Sequence, residues 1–529
     1  MFHIDVKCRD NPVFCRRSKK YLALEHRLKY SLKVNKIFFP SPLSKHPPGL
    51  PILFFAELWE RFSFYGMRAL LTLYMAKELL YADERAYGVY GAYGALVYTT
   101  PVLGGLIADK LIGHRKAITL GAVFMALGHF AMALNTEFTF YIALSLLIIG
   151  NGFFKPNISS LLGKLYEEDD PRRDGGFTIF YMGINIGALL APLVCGTVGE
   201  LYGWHYGFGL AGIGMLGGLV IFRKGEARLG DRGLPPHPEK LKKKIPPGLT
   251  LVPLIVLCGF LSIPLFALLV SQNQFMSSLL GIIGLVILGS LFGTAVKSNA
   301  VERDRIFAIL ALTFFSVLFW SFFEQAGSSV TLFTERNVQR TIFGGEVPAS
   351  LFQGVNPFFI ILLATFFSNL WISLGRRGKE PSTPLKFALG MIQLGLGFGV
   401  FYLGARFAGE DGMVPLFFLL AGYFLQTTGE LCLSPVGLSM VTKLSPGRIV
   451  GFVMGTWFLS SAFAHHIAGL IAKLTAAPGG SETQGGLSSA ETLEIYSRVF
   501  GQIGLVAVGA GLFLLFLIPL LRRWMHGVH

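Results

Sequence analysis

Apolar runs of about 18 residues or more follow one another along this chain, joined by short polar segments. A lone segment in lipid must satisfy its own backbone hydrogen bonds, so each run can cross a bilayer only as a helix. The chain is therefore expected to be an all-α membrane protein with the lipid bilayer as its surroundings. Charge usage agrees. Asp, Glu, Lys and Arg make up 15% of the 529 residues, against about a quarter in soluble globular domains. The 64 glycines and 48 phenylalanines suit close-packed and lipid-facing helix surfaces. A net charge of +15 would fit nucleic-acid binding in another setting. Here Lys and Arg gather in joints on one side of the successive runs, the positive-inside pattern, and no nucleic-acid partner is expected.

Residues 1–47 are polar and basic, without the early apolar stretch of a secretory signal, and are expected either to form a cytoplasmic extension or to lie upstream of the true start codon. Six apolar runs fill 48–222. A joint with eight Lys or Arg, from Arg223 to Lys244, leads to two further runs at 249–271 and 276–298, so 223–302 reads as linker plus an extra helix pair. Six more runs occupy 303–522, and 523–529 is a cytoplasmic tail. The expected count is fourteen transmembrane helices. Basic joints at 110–116, 223–247 and 375–379, with Lys443, Arg448, Arg522 and Arg523, fall on one side, which puts both termini in the cytoplasm. The extra pair has no ionisable group in its apolar stretches and is expected to stand outside any pathway.

Two six-helix bundles joined by a basic cytoplasmic linker are the plan of a major facilitator fold. The joint GGLIADKLIGHRK (104–116) resembles that superfamily's loop signature. Its Asp109 is placed to pair with a helix end, or with Arg115 and Lys116, as a cytoplasmic gate. The second-half counterpart, NLWISLGRRGK, carries Trp371 where an Asp is expected.

One stretch breaks the apolar pattern. Ala56 to Leu70, AELWERFSFYGMRAL, holds Glu57, Glu60, Arg61 and Arg68 among Leu, Phe, Trp and Met. Ionisable groups inside a membrane helix are costly and are functional by default. Their spacing of i, i+3, i+4 and i+11 keeps them near one helix face, and they cover roughly 16 Å of axis at about 1.5 Å per residue. That stripe reads as the wall of a pathway. The five cysteines (Cys8, Cys15, Cys195, Cys258 and Cys432) have no metal or disulfide spacing. No metal and no cofactor is expected.

Several ordered motifs resemble the proton-dependent oligopeptide transporter family. They are Glu57-x-x-Glu60-Arg61-Phe62, FYMGINIGAL (180–189), FWSFFEQAGSS (319–329), FQGVNPFFI (352–360) and GELCLSPVGLSMVTKL (429–444). The resemblance spans about residues 50–520 and includes the extra helix pair of bacterial members. It implies proton-coupled symport of di- and tripeptides into the cell by alternating access, with protons as the coupling ion. Glu57, Glu60 and Arg61 would then form the coupling site, with Lys155 as movable counter-charge and Glu324 as a second ionisable acid at the outer gate. Arg68 would bind the peptide carboxylate, since a guanidinium pairs bidentately with one, and Glu430 would bind the peptide ammonium. Tyr65, Tyr98, Asn185, Trp320, Asn356, Ser434 and Trp457 would line the peptide pocket. The resemblance also implies a multi-pass protein of the plasma membrane (the inner membrane in a Gram-negative source), working as a monomer.

Two departures stand out. Phe64 precedes Tyr65 where relatives carry a second Tyr, and the apolar run at about 448–474 reads Ala464-His465, followed by His466, where relatives more often carry Gly-Asn. The two histidines are expected to be helix-packing residues, with titration as the alternative. Transport of another ligand, such as nitrate or an amino-acid conjugate, is less expected because the Glu-x-x-Glu-Arg element is whole. A non-transporting sensor or a membrane enzyme is less expected still. No large soluble signalling segment, nucleophile–base pair or phosphate loop accompanies the apolar runs.

Overall fold

The computed structural model describes residues 46–167, 169–243, 248–476 and 487–528. Most of the expected extension 1–47, with Cys8 and Cys15, lies outside the described residues, as does the last residue of the tail 523–529. The apolar runs form long helices: α1 Leu50–Lys77, α2 Asp83–Ile107, α3 His114–Met132, α4 Glu137–Gly163, α5 Arg173–Ala191 and α6 Trp204–Gly225. Next come α7 Leu251–Ser271, which pauses at Ser262, and α8 Gln274–Val296. Then follow α9 Ala300–Phe323, α10 Val355–Arg376, α11 Thr383–Gly404, α12 Leu416–Leu444, α13 Val450–Lys473 and α14 Ser489–Trp524. Among the described residues, twelve helices are long and apolar enough to cross a membrane. The four charges of α1 and the His114-Arg115-Lys116 opening of α3 keep those two out of the twelve.

Local chemistry sets several helix starts. Thr136 caps α4 by accepting from the Thr139 N–H, Asn299 caps α9 by accepting from Glu302, and Ser488 with Glu491 forms a capping box on α14. Helix α5 runs on through a wide turn at Pro192–Gly196 to Tyr202. Between α9 and α10, Thr341–Ile342 pairs with Gly345–Glu346 around Phe343-Gly344, both at positive φ as a tight hairpin turn requires.

The helices bury two main cores. One is built largely from α1 to α6, the other largely from α9 to α14. The α7–α8 pair packs against the outside, α7 on α4 and α8 on α9 and α13. The two cores meet where α2 crosses α13. A side chain at Gly469 would press within 2.8 Å of the Tyr87 carbonyl oxygen, so two helix backbones touch there.

Ties between the two groups gather at the end where α1 stops. Lys77 pairs with Glu335 at 2.6 Å, and Asp83 receives both arms of Arg336 at 2.6 and 2.9 Å. Thr72 Oγ1 donates to the Gly327 carbonyl at 2.7 Å, and Glu200 accepts from the Ser350 N–H at 2.7 Å.

Candidate functional site

The charged stripe of α1 meets two different partners at its two ends. At the near end, Arg61 Nε lies 3.0 Å from both Glu57 Oε1 and Glu60 Oε2. That nitrogen carries one hydrogen, and it donates to Glu57. Lys155 of α4 donates to the same Glu57 oxygen at 3.1 Å. Glu57 and Glu60 are fully buried, whereas the Lys155 side chain keeps 30% of its surface exposed. Neither Glu60 oxygen finds a hydrogen-bond donor among the described residues. Two acids and two bases are thus gathered in one buried cluster, which needs such pairing to offset desolvation.

Further along α1, Arg68 reaches into a cavity of about 190 Å³ between the two helix groups. Its Nη2 meets Glu324 Oε2 at 2.5 Å and its Nε donates to the Tyr90 hydroxyl at 2.8 Å. Sequence reading places Arg68 and Glu324 in separate roles, and the structure joins them as one largely buried pair, with the Arg68 side chain 14% exposed. The first of the six runs expected in 303–522 is also not one unbroken helix. Instead α9 stops at Phe323, Glu324–Gly327 makes a tight turn, and helix resumes at Ser329–Asn337. Gly327 is needed for this. A Cβ there would fall on the Tyr90 hydroxyl that holds Arg68. The break directs Glu324 at α1, and broken helices of this kind build sites in transporters.

Across the cavity, Glu430 of α12 is buried and accepts from Asn356 Nδ2 of α10 at 2.8 Å. Asn356 also donates to Thr427 at 3.1 Å. Tyr65, Tyr98, Asn185, Trp320 and Asn356 line the cavity with Arg68, Glu324 and Glu430. Asn185 turns its amide to the Tyr181 carbonyl one turn back, and Trp320 packs edge-on against Phe323. The side chain of Ser434 lies outside the described residues.

Three placements depart from expectation. Trp457 is not among the cavity-lining residues; it packs on Gly437 of α12, where a Cβ would come within 2.5 Å of the indole. Asp109 does not pair with Arg115 or Lys116 but lies 3.3 Å from His114 Nε2. Positive φ at Gly113 starts α3 at His114, and Arg115 turns to the carbonyls of Gly230 and Arg232 in the linker, while Lys116 is exposed. In the second-half counterpart, Trp371 lies under the Lys386 ammonium at 4.8 Å, and Lys386 pairs with Glu380 at 2.6 Å.

Sequence reading missed Tyr90, Tyr181, Gln353 and Tyr423. Three of these had a signal, because helical spacing aligns them with chosen residues: Tyr181 four before Asn185, Gln353 three before Asn356, and Tyr423 seven before Glu430. Tyr90 had none, since only tertiary packing brings α2 to Arg68.

Comparison with known proteins agrees along most of the chain. The profile of the POT family matches residues 115–487. The uncharacterized transporter YclF of Bacillus subtilis is 38% identical over 496 residues, covering 91% of this chain and 96% of that protein. Dipeptide and tripeptide permease B of Xenorhabdus bovienii is 35% identical, covering 90% and 96%. A variant of the peptide transporter POT, solved in complex with alafosfalin, is 37% identical with a TM-score of 0.78 and covers 93% of this chain and 97% of its own. A family match over residues 115–487, and relatives 38% and 35% identical over 91% and 90% of the chain, make this multi-pass membrane protein a member of the POT family.

Proposed function

We propose that this protein is a secondary active transporter, not an enzyme, that carries di- and tripeptides into the cell together with protons by alternating access. The observation that carries this reading is a partly buried guanidinium on α1 and a buried carboxylate on α12 lining one cavity between two helix groups. A zwitterionic peptide has the complementary charges at its ends. Arg68 suits the carboxylate and Glu430 the ammonium, with Tyr65, Tyr98, Asn185, Trp320, Asn356 and Ser434 around the backbone and side chains. A ligand held by both groups favours the arrangement that brings them together, which couples binding to the change of access.

Protons enter through the other end of the stripe. Glu60, without a donor on either oxygen, can accept a proton without breaking a hydrogen bond. Glu57 would then share Arg61 and Lys155 differently, and Lys155, the exposed member on α4, is free to move. Arg68 leaves Glu324 when it takes the peptide carboxylate, which loosens a tie between α1 and the broken helix α9. The ties at the Lys77–Asp83 end fit a state closed on that side. We place both termini and the 110–116 joint in the cytoplasm, with fourteen spans in two six-helix bundles, 48–222 and 303–522. The linker and extra pair would be 223–302, and the protein a monomer in the plasma membrane, with no cofactor other than the coupling proton.

Binding of alanyl-alanine, its C-terminal amide and its N-acetyl form to purified protein tests the charge clamp. Each capped form removes one of the two charge pairs to the peptide, and truncating one partner of such a pair costs about 2–5 kcal/mol, so each is expected to bind at least about 30-fold more weakly. Equal affinity for all three would contradict the reading.

A further inference from the structure

The tandem histidines of α13 point in different directions. His466 Nε2 bonds the Ser277 hydroxyl of α8 at 2.8 Å. His465 turns inward and is buried, its side chain 8% exposed. Its ring stacks on Tyr98 of α2, 4.7 Å between centroids and 19° from parallel. One turn back on α2, a Cβ at Gly94 would meet the same ring at 2.9 Å, so only glycine leaves the imidazole its slot. Held there, His465 Nδ1 has no hydrogen-bond partner among the described residues. It lies 3.7 Å from Glu324 Oε2, the oxygen that Arg68 holds at 2.5 Å.

We propose that His465 is a proton-responsive positioning residue of the outer gate: its imidazolium competes with Arg68 for Glu324 and so releases Arg68 to the peptide. The inference rests on the reading of Arg68 as the carboxylate-binding group. The groups around the ring are few. Glu324 comes from the turn after α9, Arg68 from α1 with the Tyr90 phenol of α2 bonded to it, and the Tyr98 phenol from α2. Helix α12 brings Glu430 to the cavity that Tyr98 also lines, and α8 offers Ser277 to His466. A proton taken from water onto Nδ1 makes that atom a donor, and Glu324 is the acceptor it faces. Closing 3.7 Å to hydrogen-bond distance needs a shift of under about 1 Å. With Arg68 on the same oxygen, the two cations repel. A peptide carboxylate on Arg68 removes that conflict and leaves Glu324 to the imidazolium. Proton uptake at His465 and peptide binding at Arg68 therefore favour each other, and by linkage each strengthens the other by the same factor.

The test measures alanyl-alanine affinity of the full-length purified protein from about pH 5 to pH 8, the range in which histidine titrates, for wild type, His465→Asn and His465→Gln. Wild-type affinity is expected to rise about tenfold as pH falls through this range, within the usual span of site-to-site coupling. In either variant the rise is expected to shrink to about threefold or less. A purely packing role would change affinity or stability without flattening the pH profile. Proton uptake on peptide binding, measured on wild type by calorimetry in two buffers of different ionisation enthalpy, gives a readout that needs no variant. Wild-type binding without proton uptake, or a profile unchanged in a folded variant, overturns this inference alone. No alanyl-alanine binding by the wild type overturns the transport reading and this inference with it.

Discussion

Lys155→Ala is expected to abolish uphill accumulation of dipeptide in proteoliposomes. With one proton carried per peptide, a gradient of about one pH unit supports about tenfold accumulation, and the variant should fall to a ratio of about one. The geometry explains why so large a loss need not be a folding defect. Glu57 keeps its hydrogen bond from Arg61 when Lys155 is gone, so Glu57 is not left without a donor. What disappears is the partner on α4, the one member of the cluster on another helix and the one with exposed surface. Unimpaired uphill uptake in the variant would remove Lys155 from the coupling site.

Arg68→Lys is the second large effect. Alanine at this position would strand Glu324, and breaking a buried ion pair costs about 3–5 kcal/mol, so a binding loss there would be confused with a folding loss. Lysine keeps a cation for Glu324 but lacks the planar fork that grips a carboxylate with two parallel bonds. Dipeptide affinity is expected to fall about 10- to 100-fold, equivalent to about 1.4–2.8 kcal/mol. The midpoint of thermal unfolding without ligand is expected to shift by only a few degrees. Unchanged affinity, measured by tryptophan fluorescence or calorimetry, would take the carboxylate clamp away from Arg68.

The helical membrane character was legible because bilayer thickness imposes one run length on every span. The stripe Glu57, Glu60, Arg61 and Arg68 was legible because charge in such a run is conspicuous and a single helix fixes the spacing. Contacts between distant segments were not legible from the residues. Lys155 stands 98 residues from Glu57, and only family resemblance proposed them as partners. The break after Phe323 escaped because its cause is tertiary: Gly327 makes room for Tyr90, a residue of another helix. Asp109 shows the limit of reading a loop by charge. Its neighbours in sequence are basic, yet the turn at Gly113 sends Arg115 to the linker and leaves His114 facing the acid. His465 shows a different limit. A histidine on a packed helix is ordinarily a packing residue, and its nearness to Glu324 depends on the slot between Tyr98 and Gly94.

Proton coupling is the central claim, and uptake of alanyl-alanine by wild-type proteoliposomes, with and without an imposed inward proton gradient, tests it most directly. Concentrative uptake that requires the gradient, and collapses when an ionophore dissipates it, is the expected result. Uptake that only equilibrates, at the same rate and to the same level with or without the gradient, would contradict it.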